Sequence, residues 1–305
     1  MKGLFIIRKI ILPVLLLSMA LVFAGCGGDN SPAGSKGKVV VGSKNFNENI
    51  ILGEMLTQLI EAKTDLTVEH KPNLGGTMVC FNALKKGDLD LYPDYTGTGL
   101  MAILKRPVET DPDKVYNLVQ EEYNKQFDLK WMKPFGFNNT YAIAVRQETA
   151  EKYNLQKTSD LAALSGDMLF GGEQEFFNRQ DGYDGLIKAY GLKFKDTKSF
   201  ETALKYQAAA QKKIDVTDAF STDGELITYN LKILEDDKNF FPPYFCTAVV
   251  RNDTLKKYPE LEETINLLEG KISDEEMQQL NYQVAEKKRE AKDVVVEFLQ
   301  DKGII

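Results

Sequence analysis

Strand and helix patterns alternate from residue 38 of this sequence onwards, and this alternation limits the fold more than any other feature. Apolar strand patterns at Lys38–Gly42, 66–70 and 89–92 are separated by apolar residues at helical spacing in Asn47–Lys63 and Thr77–Lys86. A β-α-β-α-β order is typical of a parallel α/β sheet. Because ligands of such sheets bind at the carboxyl ends of the strands, we expect a site there.

A second alternation of the same kind follows a helical pattern at Pro112–Phe127. It consists of strand patterns at 142–146, 168–171 and 214–219 and helical patterns at 184–190 and 200–212. The chain then returns to a strand pattern at 247–250 and to a capping-box pattern, Ser273 with Glu276, that opens a helix to about residue 288.

The two alternations predict an α/β protein with two lobes and a hinged cleft between them. Lobe I would comprise residues 38–138 and 245–305, and lobe II residues 139–244. The chain would therefore cross between the lobes twice, near Asn139 and near Pro243.

The first residues have the order of an export signal. Three cations precede an apolar run at residues 10–24, and Gly25 and Cys26 follow. This order predicts a lipoprotein signal peptide over residues 1–25, a lipidated Cys26 and a flexible tether over residues 26–37. An uncleaved transmembrane anchor is the alternative, although the apolar run is short for one. In both cases we expect the folded part on the extracytoplasmic face of the cell membrane.

The charge of the chain argues against nucleic acid as a partner. The formal charge is -7, and loss of residues 1–25, which hold three cations and no acid, makes it -10. Such an acidic surface repels a phosphate backbone. Besides Cys26 the chain has only Cys80 and Cys246, and their spacing leaves open whether they pair.

Catalytic, nucleotide-binding and metal-binding motifs are missing from the sequence. The one histidine, His70, lies in a strand pattern, and neither a Gly-x-Ser-x-Gly motif nor a P-loop occurs. We therefore predict no catalytic residue, no cofactor and no metal ion. The same observations argue against a secreted hydrolase of choline esters, which is the alternative from another functional class.

Four aromatic residues stand where a cleft between two lobes would be. The stretch Leu-Tyr-Pro-Asp-Tyr-Thr-Gly-Thr-Gly-Leu at 91–100 includes Tyr95, while Tyr141, Phe220 and Tyr244 each fall at a strand end or a crossover. Several aromatic faces together hold a quaternary ammonium group, which cannot donate a hydrogen bond, at about 0.5–2 kcal/mol per face. The pattern favours a cage for such a cation over ordinary core packing.

Six stretches resemble one family of transport proteins. They are Val41-Gly-Ser-Lys-Asn-Phe46, Leu74-Gly-Gly-Thr77, Tyr92-Pro-Asp-Tyr-Thr-Gly-Thr98, Asn178-Arg-Gln-Asp-Gly182, Asp215-Val-Thr-Asp-Ala-Phe-Ser-Thr-Asp-Gly224 and Phe240-Phe-Pro-Pro-Tyr244. This set resembles the osmoprotectant-binding lipoproteins of ABC importers, the glycine betaine, choline and carnitine receptors of the OpuC and ProX type. The resemblance implies a protein with a type II two-lobe periplasmic-binding-protein fold that closes on its ligand and delivers it to a membrane permease. We expect the protein to be a monomer.

The resemblance also implies roles for eight residues. The family's aromatic cage corresponds to Tyr95, Tyr141, Phe220 and Tyr244; Thr98 and Asn139 are polar residues of the same pocket; Lys44 and Arg179 are cations for a ligand carboxylate. For Arg179 an ion pair with Asp181 is the alternative. Phe220 stands where the family commonly has tyrosine, and it leaves another betaine, such as ergothioneine, as the alternative ligand.

Overall fold

The structure of the protein is a computed structural model that describes residues 37–179 and 181–305. The predicted signal peptide over residues 1–25, the lipidation site Cys26 and the tether up to residue 36 lie outside the described residues.

The described part of the chain contains ten strands and thirteen α-helices. The strands are β1 (Lys38–Gly42), β2 (Thr67–Lys71), β3 (Leu91–Tyr95), β4 (Leu129–Trp131), β5 (Tyr141–Arg146), β6 (Leu169–Glu173), β7 (Asp196–Phe200), β8 (Val216–Phe220), β9 (Leu231–Leu234) and β10 (Cys246–Arg251). The α-helices are α1 (Asn47–Lys63), α2 (Thr77–Lys86), α3 (Thr96–Thr98), α4 (Pro112–Phe127), α5 (Gln147–Tyr153), α6 (Gln174–Asn178), α7 (Tyr183–Tyr190), α8 (Thr202–Ala210), α9 (Glu225–Thr228), α10 (Asn252–Lys257), α11 (Glu260–Asn266), α12 (Asp274–Asn281) and α13 (Ala291–Asp301). Turns of 3-10 helix occur at Thr158–Ala163 and Ser165–Asp167, and turns of π-helix continue α3 through Gly99–Ile103 and α12 through Tyr282–Glu286.

The first sheet has the strand order β2-β1-β3-β10-β4. Strand β1 is parallel to both β2 and β3, as the sequence predicts, whereas β10 runs antiparallel to its neighbours β3 and β4. The sheet is therefore mixed: the expected parallel pairing holds for β2, β1 and β3, and β10 runs against the other four strands, because β4 points the same way as β3. Two neighbouring strands are parallel when a crossover connection, such as a helix, returns the chain to the starting edge of the sheet. No such crossover joins β3 to β10, because the chain reaches β10 from the other sheet.

The second sheet has the strand order β7-β6-β8-β5-β9. Strand β6 is parallel to β7 and β8, while β5 is antiparallel to β8 and β9. The edge strand β7 is not expected from the sequence pattern. It takes Phe200 out of the helix predicted at residues 200–212, and α8 covers Thr202–Ala210 alone.

We call the first sheet and the helices packed on it lobe I, and the second sheet with α5–α9 lobe II. Helix α1 and the C-terminal helices α11–α13 cover one face of the sheet of lobe I, and α2 and α4 cover the other. Side chains of β3 point alternately to the two faces of the sheet. Leu91 and Tyr95 therefore join the core under α1 and α11–α13, and Tyr92 joins the core under α2 and α4. The limits of the lobes at residues 138/139 and 244/245 stay a prediction.

The two connections between the lobes run side by side. Asn138 and Phe245 form an isolated antiparallel bridge, and the backbone N–H of Asn139 donates to the carbonyl of Tyr244 at 3.2 Å. The Thr140 hydroxyl adds a bond of 2.8 Å to the carbonyl of Pro242. The paired connections tie the two lobes together at one edge of the cleft.

A third contact joins the lobes without a covalent connection. In α12, Gln278 Nε2 donates to the carbonyl of Ser221 at 2.6 Å, and Asn281 Nδ2 donates to the carbonyl of Thr222 at 2.8 Å. The predicted capping box begins this helix: Ser273 Oγ accepts from the backbone N–H of Glu276 at 3.2 Å. The C-terminal part of lobe I thereby packs on a loop of lobe II.

Cys80 and Cys246 are both buried and both free. Burial raises the pKa of Cys80 to about 11 and also raises that of Cys246. Within residues 37–179 and 181–305, none of the helices combines the length and the apolar character that a membrane span requires.

Candidate ligand-binding site

A cavity of about 780 Å³ is lined by residues of both lobes and of both connections between them. Its size is that of a site for a small molecule. The structure brings all eight residues predicted from the sequence to this cavity: Lys44, Tyr95, Thr98, Asn139, Tyr141, Arg179, Phe220 and Tyr244. Their contact with a ligand stays a prediction.

On the side of lobe I, the cavity wall is built by the end of β3 and the start of α1. The ring of Tyr95 lies 6.0 Å from the ring of Phe46, centroid to centroid, and its hydroxyl donates to Glu48 Oε1 at 2.7 Å. Gly97 follows without a side chain because a Cβ there would lie 2.7 Å from the carbonyl oxygen of Pro243. The glycine therefore lets the loop after β3 touch the second connection.

On the side of lobe II, two aromatic rings come from neighbouring strands. Tyr141 on β5 and Phe220 on β8 are direct partners in the strand register, and their ring centroids are 4.6 Å apart. The Tyr141 hydroxyl donates to Glu173 Oε1 at 2.9 Å. Phe241 packs behind Tyr141, at 6.2 Å between centroids, and does not line the cavity.

The two connections between the lobes supply Asn139 and Tyr244. Asn139 Nδ2 donates to Glu48 Oε1 at 2.8 Å, and the backbone N–H of Tyr244 donates to Asn138 Oδ1 at 2.6 Å. Burial raises the pKa of Tyr244 to about 12, so its phenol keeps its proton at neutral pH. Both residues stand at positions whose backbone is fixed by the paired connections.

Lys44 lies at the end of β1 but is not a solvated lysine. Its side chain is 5% exposed, and its Nζ lies 2.5 Å from Asp94 Oδ1. The same carboxylate accepts from the hydroxyl of Tyr92 at 2.6 Å and from the backbone N–H of Tyr95 at 2.8 Å. The charge of Lys44 is thus balanced inside lobe I, which weakens the case for a direct ion pair with a ligand carboxylate.

Arg179 makes the ion pair with Asp181 that the sequence offered as an alternative. Its Nε and Nη2 donate to the two carboxylate oxygens at 2.8 and 2.7 Å, and the Asp181 side chain is only 7% exposed. This is a bidentate pair at a buried acid rather than a loose surface pair. Nη2 also donates to the hydroxyl of Tyr244 at 3.4 Å, so Arg179 is bound within the wall of the cavity.

Sequence reasoning misses several cavity residues, among them the buried polar residues Glu48 and Asn281. Glu48 is 4% exposed and accepts from Asn281 Nδ2 at 3.0 Å as well as from Tyr95 and Asn139. An acid in the first turn of a helix is favoured by the helix dipole anyway, so its position in the sequence does not reveal that it is buried. Asn281 is separated from the cavity motifs by a long stretch of chain.

With this geometry in place, the family of the chain can be read from its similarity to known proteins. Residues 37–301 match the family described as the substrate binding domain of ABC-type glycine betaine transport systems. The chain belongs to this family. Its members serve ABC importers as extracytoplasmic substrate-binding proteins, and the predicted function class is confirmed.

Three similar proteins illustrate the range of the family. The carnitine transport binding protein OpuCC of Listeria monocytogenes is 41% identical over 289 residues, which cover 94% of each chain. The ergothioneine transport permease/ergothioneine binding protein EgtU of Helicobacter pylori is 40% identical over 267 residues, which cover 87% of this chain and 48% of that protein. A solved structure of a glycine betaine/carnitine/choline ABC transporter is 40% identical with a TM-score of 0.85, over 88% of this chain and 99% of that chain. The predicted two-lobe fold is thereby confirmed.

Proposed function

We propose that this protein binds a small quaternary ammonium solute, such as glycine betaine, choline or carnitine, and delivers it to the permease of an ABC importer. The observation that carries the proposal is that Tyr95, Tyr141, Phe220 and Tyr244 come from four separate parts of the chain and line one cavity. A ring of aromatic faces suits a cation that has no hydrogen to donate.

Calorimetry with the full-length chain purified in detergent tests the proposal. The panel is choline, glycine betaine, carnitine, proline betaine and ergothioneine, with the tert-butyl analogue of choline, in which carbon replaces nitrogen, as the uncharged control. We expect saturable binding of at least one quaternary ammonium compound and much weaker binding of the analogue. Equal affinity for choline and its uncharged analogue would contradict a cation cage.

Ergothioneine is the second candidate ligand. A relative with 40% identity carries that ligand in its name, and the cavity of about 780 Å³ leaves room beside a trimethylammonium group. Tighter binding of ergothioneine than of every other compound in the panel would favour this candidate.

We further propose that the protein is not an enzyme. His70, the one histidine of the sequence, pairs through Nδ1 with Glu54 Oε2 at 2.9 Å and does not line the cavity. A base for a hydrolase of choline esters is therefore not offered by imidazole at this site. Turnover of chromogenic choline esters by the purified protein would contradict this proposal.

We also propose that a lipid on Cys26 anchors a monomeric receptor to the membrane. The support is the sequence order of a basic start, an apolar run and Gly25 before Cys26. In Cys26→Ala we expect an uncleaved precursor or release of the protein from the membrane fraction. A variant that fractionates and migrates like the wild type would refute the anchor.

A further inference from the structure

Each lobe contributes a cavity tyrosine whose hydroxyl donates to a buried glutamate. Tyr95 donates to Glu48 at 2.7 Å, and Tyr141 donates to Glu173 at 2.9 Å. Both glutamates are less than 10% exposed. A phenol that hydrogen-bonds to a carboxylate is a charge-assisted donor, and the bond shifts electron density onto the ring. A richer ring face attracts a cation more strongly, since cation–π attraction is electrostatic.

The two glutamates differ in their counter-charges. Glu173 lies 3.6 Å from the ammonium of Lys205, which also pairs with Asp218 at 2.6 Å. Around Glu48, by contrast, no lysine or arginine nitrogen of the described residues comes within 4.0 Å. Lys44, the cavity lysine of the same lobe, has its Nζ 5.3 Å from the centroid of the Tyr95 ring, but its charge is paired with Asp94 rather than with Glu48.

Hydrogen bonds hold the Glu48 carboxylate in place instead of a cation. Its partners are the Tyr95 hydroxyl at 2.7 Å, Asn139 Nδ2 at 2.8 Å and Asn281 Nδ2 at 3.0 Å, with Thr222 as a further partner. Burial raises the pKa of Glu48, and the bonds from these neutral donors oppose that rise, because they stabilise the ionised carboxylate without neutralising it. A buried charge without an opposite charge is costly, and a cation brought to the neighbouring ring lowers that cost.

We infer that Glu48 is a positioning residue of the cage, which supplies the counter-charge of the ligand's quaternary nitrogen through the phenol of Tyr95. The inference rests on the proposed function, because it assigns to this acid the preference of the cavity for a cation over an uncharged molecule of the same shape. It predicts that Glu48 contributes more than Glu173 to the preference of the cavity for a cation, because the charge of Glu173 is shared with Lys205.

The test compares Glu48→Gln with the wild type in the full-length chain by calorimetry, with choline and its tert-butyl analogue as the two ligands. The amide of this variant keeps an oxygen for the Tyr95 hydroxyl and Asn139 Nδ2, while its nitrogen takes the place of the oxygen that accepts from Asn281 Nδ2. We expect the ratio of the two affinities to fall about tenfold, or about 1.4 kcal/mol, with the affinity for the analogue unchanged.

Two further variants keep the test decisive if Glu48→Gln does not fold. Tyr95→Phe retains the ring and removes its bond to Glu48, and we expect the ratio to fall by about threefold or more. Tyr92→Phe is the matched control on the same strand: it removes a buried phenol–carboxylate bond to Asp94, does not line the cavity and should leave the ratio unchanged.

The outcomes separate this inference from the proposed function. Equal losses for choline and the analogue in Glu48→Gln would mean that Glu48 only holds the fold, and an unchanged ratio in Glu48→Gln or in Tyr95→Phe would also overturn the inference. A wild type that binds no quaternary ammonium compound refutes the proposed function itself, before any variant is measured.

Discussion

The guanidinium of Arg179 lies over the ring of Tyr141, with its Cζ 5.5 Å from the ring centroid. A cation of the protein therefore already lies over this ring, as Lys44 does over Tyr95 at 5.3 Å and Lys205 over Phe220 at 5.7 Å. The bidentate bond to Asp181 holds it there, and the contact with Tyr244 brings it next to the second connection between the lobes.

Arg179→Ala should separate ligands that carry a carboxylate from ligands that do not. We expect the affinity for glycine betaine to fall by roughly 1.5–3 kcal/mol, the range for hydrogen bonds to charged groups, and that for choline to change little. Calorimetry with both ligands measures the difference. Arg251→Ala is the control for loss of an arginine that pairs with an aspartate two residues on and lies outside the cavity, although its partner Asp253 is exposed and Asp181 is buried. Similar losses for both ligands would instead assign Arg179 to the contact between lobes.

Phe220→Ala should weaken binding more than it weakens the fold. The ring lines the cavity and is only partly buried, so we expect a loss of affinity on the order of 1–3 kcal/mol. Phe241→Ala is the comparison, since Phe241 is 6% exposed and lies outside the cavity. It should lower the free energy of unfolding by about 3–5 kcal/mol. Titration and urea unfolding of both variants measure the two effects, and the reverse pattern would show that the cage is assigned to the wrong residues.

Lys205→Met should destabilise the protein more at neutral and alkaline pH than at acidic pH. Lys205 is fully buried beside Asp218 and Glu173, and its loss leaves buried carboxylates without this cation, at a cost of about 3–5 kcal/mol. Protonation removes the unbalanced charge, so the free energy of unfolding should recover as the pH falls. Urea unfolding at about pH 5 and about pH 8 tests this. Lys38→Met, at an exposed pair with Glu69, should change stability by less than about 1 kcal/mol at both pH values.

Asp223→Asn should flatten the dependence of stability on pH. Burial raises the pKa of Asp223 to about 7, so the folded chain holds this proton over a range in which the unfolded chain has lost it. The free energy of unfolding therefore falls as the pH rises from about 4 to about 7, by about 1.4 kcal/mol for each unit by which the two pKa values differ. Asparagine removes this contribution and keeps the single oxygen that accepts from Tyr206 and from the backbone of Phe220.

Urea unfolding without ligand, at several pH values between about 4 and 8, measures the slope for Asp223→Asn and for the wild type. Asp65→Asn, at an exposed loop position, is the control and should keep the slope of the wild type. An unchanged slope in Asp223→Asn would contradict the assignment to this carboxyl.

The sequence predicts where the site lies better than it predicts which charged side chains pair with each other there. Tyr95 and Tyr141 are identified because each stands at the end of a strand or at a crossover, and such local positions survive into the fold. The pairing of Lys44 with Asp94 is not predictable in this way, since the two residues are 50 apart along the chain and meet only when β1 and β3 lie side by side.

The direction of a strand after the chain has crossed between the lobes cannot be predicted from local sequence either, because it depends on parts of the chain that are far apart. Local patterns identify strand β10 but not its antiparallel place between β3 and β4, which depends on where the chain returns from. Strand β7 is missed for a different reason: four of its five residues, Asp-Thr-Lys-Ser, are exposed, so it lacks the apolar alternation by which strands are found.

The place of β10 between β3 and β4 also sets the order in which the chain can fold. The sheet of lobe I has a gap until residues 246–251 are made, whereas the strands of lobe II, from 141 to 234, form one uninterrupted stretch. We therefore expect nascent lobe II to become protease-resistant first, although lobe I begins earlier, in contrast to the usual order in which the N-terminal unit folds first. During synthesis, lobe I therefore completes its sheet after lobe II, although lobe I contains the first strands of the chain.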